Sequence, residues 1–77
     1  MKVFLLSNAK LNILYKIKKL NDKLNIKTKT RLLELGFLCD TPIMVTARSL
    51  SGGVLLVQIN NSILTLRKKE ANLVEIG

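Results

Sequence analysis

The sequence predicts a mainly β fold: a small closed barrel of five to six strands with one short helix at about residues 29–35. Three observations carry that reading. Apolar residues alternate with polar ones at the two-residue period of strands in several short runs. Clusters of Asn, Gly, Ser and Pro separate those runs, as the tight turns of a small barrel require. Only Arg31-Leu32-Leu33-Glu34-Leu35-Gly36-Phe37 carries a clear helical pattern, and it stops on a glycine. The 77 residues have room for one domain, 1–77. Such a chain buries only roughly 60% of its unfolded surface, so its core is thin.

At the N-terminus, Val3-Phe4-Leu5-Leu6 followed by Ser7-Asn8-Ala9-Lys10 forms either an edge strand or an anchoring segment with one helical turn. Behind Met1-Lys2 the run imitates a signal peptide, yet it falls short of the ~7–15 residues of a signal core. Ile13 to Leu20 reads as the first clear strand. Ile13, Tyr15 and Ile17 share one side, and Lys16 and Lys18 lie on the other. Asn21-Asp22-Lys23 is turn chemistry. Residues 24–29 read as a polar link, with Thr28 or Thr30 as the helix N-cap. In the helix, Leu32, Leu33 and Leu35 form an apolar side, while Arg31 and Glu34 sit at i and i+3 on the polar side. Gly36 ends it, because the left-handed conformation penalises any residue with a Cβ. Phe37 then enters the core.

Leu38-Cys39-Asp40-Thr41 makes a tight connection, and Pro42 opens the next strand, where a missing N–H does least harm. Ile43, Val45 and Ala47 alternate with Met44, Thr46 and Arg48. Ser51-Gly52-Gly53 turns the chain. Leu55, Val57 and Ile59 form the inward side of the following strand, and Asn60-Asn61 suits a two-residue hairpin. Leu64 and Leu66 continue the core. Arg67 to Ala71 is too short and polar for a packed helix and reads as one 3₁₀-like turn. Leu73, Val74 and Ile76 end the chain in a last short strand.

Composition narrows the function. The chain is 48% hydrophobic but only 4% aromatic, so the core is built of Leu, Ile and Val. A formal charge of +8 points to an acidic partner: nucleic acid, an anionic membrane surface or an acidic protein face. The single Cys39 cannot pair within the chain, which fits a reducing compartment. As a metal ligand it would need partners from other molecules; as a structural residue it would be a small, partly buried part of the turn. No apolar run approaches the ~18 residues of a membrane span, so the chain is expected to be cytoplasmic, without membrane insertion.

The chain contains no histidine, the commonest general base and metal ligand. Its five carboxylates are scattered, and Gly52-Gly53 lacks the Gly-Lys-Ser/Thr of a phosphate-binding loop. No catalytic residue, metal ligand or cofactor site is expected, and the chain does not read as an enzyme.

Two surface features remain. Seven basic residues between positions 16 and 31, among them Lys16, Lys18, Lys29 and Arg31, either meet phosphates and acidic side chains or keep a strand edge solvated. Phe4, Tyr15 and Phe37 are the only aromatics and are expected in the core, which leaves no base-stacking platform and makes nucleic acid a weak partner. The second feature is apolar. If alternate residues fill the barrel, Met44, Leu56 and Ile63 face outward, and Val54-Leu55-Leu56-Val57 is apolar on both sides. Its cover is the N-terminal segment folded back, another protein, or a second copy of the chain.

These residues also resemble a known family. Arg31, Leu32, Leu35, Gly36 and Phe37 are similar to the helix-ending signature of the ferrous iron transport protein A (FeoA) family. Arg48, Gly52 and Leu55 fall where that family has its hairpin, with Leu50 in place of its usual proline. Leu64, Leu66, Arg67, Glu70 and Ala71 look like its closing segment, and Cys39-Asp40 stands where Pro-Gly is usual. The resemblance implies a cytoplasmic SH3-like barrel that regulates the ferrous iron permease FeoB by binding its cytosolic part at the inner face of the membrane. Met44, Leu50, Leu56 and Ile63 would supply the interface. The family is described as transition-metal binding, but this chain offers no ligand set. A nucleic-acid-binding barrel, or a stand-alone interaction module related to the C-terminal domain of iron-dependent repressors, are the alternatives; self-association is a further expectation.

Overall fold

Alternation of apolar residues builds the sheet almost as expected. The computed structural model describes residues 3–77; Met1-Lys2, the charged start of the signal-like run, lies outside them. Six strands form one sheet: β1 (Phe4–Leu5), β2 (Leu14–Leu20), β3 (Pro42–Arg48), β4 (Val54–Ile59), β5 (Ser62–Arg67) and β6 (Val74–Ile76). Their order is β1-β6-β2-β3-β4-β5, every pair antiparallel. Ile43, Val45, Leu55, Val57, Ile59 and Leu66 are at most 1% exposed and fill the inner side. Pro42 opens β3, and Ile59 pairs with Ser62 so that Asn60-Asn61 is a two-residue hairpin with Asn60 at φ 52°.

The sheet's outermost strands, β1 and β5, are not hydrogen-bonded to each other. A short helix, α2 (Lys68–Ala71), touches both β5 and the 3₁₀ turn Leu6–Asn8 that follows β1. Packing, not a strand ladder, therefore closes that seam. The turn from 67 to 71 is α-helical, not 3₁₀: the Asn72 N–H bonds to the Lys68 carbonyl at 2.9 Å. Two things stabilise it despite its length. Ala71 is fully buried, and Glu70 Oε1 accepts the Arg67 N–H at 3.0 Å.

The helix α1 spans Ile26–Glu34 and starts earlier than the pattern suggested. Asn25, not Thr28 or Thr30, is its N-cap, with Oδ1 accepting the Lys27 N–H at 2.8 Å. Asn21 Oδ1 likewise accepts the Lys23 N–H at 2.8 Å, and Leu24 between these two asparagines is buried. Residues 24–29 are thus an anchored turn and the first helical residues, not a link. Leu32 is fully buried, whereas Leu33, about 100° further round the helix, is 43% exposed and not part of the inward side. At the other end, Gly36 takes φ 97° as expected. The Phe37 N–H bonds to the Leu32 carbonyl and the Gly36 N–H to the Leu33 carbonyl, while buried Phe37 and Leu32 complete a Schellman cap.

Two bulges shift the alternation. In β2 the register changes between Ile17 and Lys19, so Ile17 and Leu20 both face the core. Ile13, expected inward, precedes β2 and is 46% exposed. In β3 the change lies between Val45 and Ala47 and places Arg48 opposite buried Leu55. Arg48 is consequently half-buried, not outward; its Nη2 donates to the carbonyls of Ser7 at 2.9 Å and Ala9 at 2.6 Å. Phe4, expected in the core, remains partly exposed with its ring 5.4 Å from that of half-buried Tyr15.

Candidate functional site

The outer face of the sheet follows from the strand period. Across β2, β3, β4 and β5, Leu14 pairs with Met44, Met44 with Gln58 and Gln58 with Ile63. Leu14 is 64% and Ile63 67% exposed, with half-buried Met44 between them. A shallow depression of about 440 Å³ lies over the Leu14–Met44–Gln58 part of this row, lined also by Pro42, Asn60 and Asn61. Half-buried Leu56 sits two residues from Gln58 on the same side, opposite Thr65. Leu50 is fully exposed but apart from these three, in the Ser49–Gly52 turn closed by a 2.8 Å bond from the Gly52 N–H to the Ser49 carbonyl. The N-terminal segment does not cover this face: it runs as β1 beside β6 at the far edge of the sheet.

The predicted basic surface divides in two. Lys16 and Lys18 are on β2, while Lys29 and Arg31 are on α1. Lys18 Nζ lies 3.5 Å from Asp40 and Lys29 Nζ 3.6 Å from Asp22, both solvent-facing pairs of small energetic weight. Lys16 and Arg31 are in no ion pair among the described residues.

A second basic surface combines part of that basic stretch with residues not singled out from the sequence. Lys23 and Lys27, beside the start of α1, face Arg67 and Lys69, at the junction of β5 and α2, across an open groove of about 490 Å³. Buried Leu24 and half-buried Leu73 also line it. Thr28 Oγ1 donates to Glu70 Oε2 at 3.3 Å and ties the two walls together. Beyond that bridge a depression of about 340 Å³ continues between Arg31, Thr65 and Arg67. Lys23, Lys27 and Arg31 belong to the basic stretch between positions 16 and 31 that the sequence shows; the Arg67-Lys68-Lys69 run was the part not singled out, and its opposition to Lys23 and Lys27 depends on the fold.

The apolar residues and glycines of the signature have packing or turn positions, whereas Arg31 and Arg67 are exposed. Leu32 and Leu66 are core, and Leu35 packs against the core. A Cβ on Gly36 would collide with the amide of Asn60, whose Nδ2 donates to the Leu35 carbonyl at 3.2 Å. Gly52, at φ 77°, serves the hairpin turn. Cys39 is exposed rather than partly buried, and neighbouring Asp40 faces Lys18. Among the described residues no three His, Cys, Asp or Glu side chains come together, so the donor set does not fit a resident metal ion. No helix among them is long and apolar enough to cross a membrane.

A family model described as the FeoA domain matches residues 4–76. No curated protein matches the chain. Among solved structures, the zinc complex of Stenotrophomonas maltophilia FeoA has a TM-score of 0.82 at 29% identity, covering 100% of this chain and 91% of that one. It is described as a prokaryotic SH3 domain protein and a candidate ferrous iron transport activating factor. The iron(II) transport protein A of Clostridium thermocellum aligns at 0.83 and 27% identity over 95% of this chain and 44% of its own. A manganese-dependent transcriptional repressor shares the fold at 0.84, with 16% identity, over 100% of this chain and 41% of the repressor. The six-stranded sheet is thus an SH3-like barrel.

Proposed function

Because the chain belongs to the FeoA family, whose members are linked to ferrous iron transport, we propose that it is a non-enzymatic accessory protein of ferrous iron uptake. It acts in the cytoplasm by docking on the cytosolic part of a FeoB-like permease. The observation that carries this reading is the family match over residues 4–76, together with whole-chain likeness to the Stenotrophomonas maltophilia protein. Iron is the permease's cargo here, and the barrel contributes a surface rather than a ligand set.

Met44, Leu56 and Ile63 on the outer face are the proposed apolar contacts, with Leu50 contributing from the hairpin turn. An apolar strip on paired strands can be desolvated by a partner without first ordering side chains on loops. Titration of the full chain against the folded cytosolic region of the permease tests the reading. Saturable binding weakened by Met44→Ser or Leu56→Ser supports it; no binding at low salt, with both proteins folded, refutes it.

A further inference from the structure

The cleft between the start of α1 and the β5–α2 corner brings Lys23, Lys27, Arg31, Arg67 and Lys69 together from two distant parts of the chain. None of the five forms an ion pair among the described residues. Glu70 is the one acid lining the cleft, and both of its oxygens are already engaged: Oε1 by the Arg67 N–H and Oε2 by the Thr28 hydroxyl. Both donors are neutral, so Glu70 keeps its charge and offsets one of the five cations, and the lining stays net positive. A concave site lined by one sign of charge attracts counter-charged segments well before contact.

From these features we propose that the cleft is the docking site for an acidic peptide segment of a protein partner, a refinement that rests on the accessory-protein reading above. Two details favour a peptide over other anions. Leu24 and Leu73 line the groove among the cations and give an aliphatic side chain somewhere to pack. The cations themselves are separate side chains along two walls, a spacing that suits carboxylates distributed along an extended chain. The lining holds no aromatic residue on which a base would stack, and no glycine-rich backbone loop that would cradle a phosphate.

The cleft is also continuous with the apolar face. Ile63, Thr65 and Arg67 share the outer side of β5, and Arg67 lines the cleft. A partner lying on Met44 and Ile63 reaches the cleft along this strand, a span of about 13 Å. One segment, apolar first and acidic after, would occupy both.

The test is a fluorescence titration of the full chain with a labelled peptide, Asp-Glu-Leu-Asp-Glu-Leu-Asp-Glu, beside an Asn/Gln copy of it. The acidic peptide is expected to bind at low salt and to weaken as salt approaches about 150 mM, where screening is short-ranged. Lys27→Glu and Lys69→Glu should each weaken it about tenfold, while Lys16→Glu on β2 changes it less than about twofold. Both cleft side chains are exposed, and a circular dichroism melt verifies that each variant is folded. Equal binding of the amide copy, equal loss in Lys16→Glu, or displacement by pyrophosphate or a thymidine oligonucleotide at lower concentration than by unlabelled peptide overturns the proposal.

The same variants against the permease's cytosolic region separate the two ideas. If wild type and Lys27→Glu bind that region equally, the cleft is wrong and the accessory reading stands. If the region does not bind but the peptide does, the accessory reading falls and the cleft stands.

Discussion

The outer sheet face and the α1–α2 cleft are built in opposite ways on one barrel. Met44 and Leu56 sit on β3 and β4, paired on both sides, and Ile63 on β5, paired along its length with β4, so their positions follow from the sheet. The cleft depends on a few individual bonds: the Asn25 cap and the Gly36 stop within α1, and the one long-range bridge from Thr28 to Glu70. The face is apolar and rigid; the cleft is charged and locally assembled. Rigid apolar area favours tight packing, whereas a charged cleft tuned by single side chains favours attraction and selectivity.

The largest expected effect removes the core support that both regions share. Leu32→Ala empties a fully buried site beneath α1 and should cost ~3 kcal/mol in urea denaturation. If α1 were instead an independent appendage, sheet unfolding would be unchanged and the comparison would break. Arg48→Met acts on the sheet side, leaving the buried carbonyls of Ser7 and Ala9 without their charged donor. It should cost ~2 kcal/mol by the same measurement.

Asn25→Ala separates the regions most directly. Loss of the cap should cost ~1 kcal/mol, with faster amide hydrogen exchange in the first turn of α1 and unaltered protection in β3 and β4. Equal acceleration in the central strands would show that the cleft is no more local than the face. Glu70→Gln keeps the shape but weakens the acceptor for the Arg67 N–H, so a stability loss of ~0.5–1 kcal/mol is expected. The same change removes the cleft's acid, so the labelled acidic peptide should bind more tightly. Ile63→Ser, at a 67% exposed position, should alter stability least, by ~0.5 kcal/mol or less, while reducing docking on the permease region.

Much of this molecule was determined by its sequence alone. Strand alternation placed Ile43, Val45, Leu55, Val57 and Ile59 in the core, because inside and outside differ by one residue along a strand. Gly36 and Asn60 marked their turns because few residues tolerate positive φ. The outward faces of Met44, Leu56 and Ile63 followed from the same alternation. Tertiary structure decided what pairwise periodicity cannot express. Bulges in β2 and β3 reset the alternation and turned Arg48 inward, since an extra residue in one strand depends on how its partner pairs. Asn25 outranked Thr28 and Thr30 as the cap once Leu24 was buried beside it. The cleft exists because folding sets Lys23 and Lys27 opposite Arg67 and Lys69, forty or more positions away; the first pair reads as basic locally, but nothing local marks what it faces.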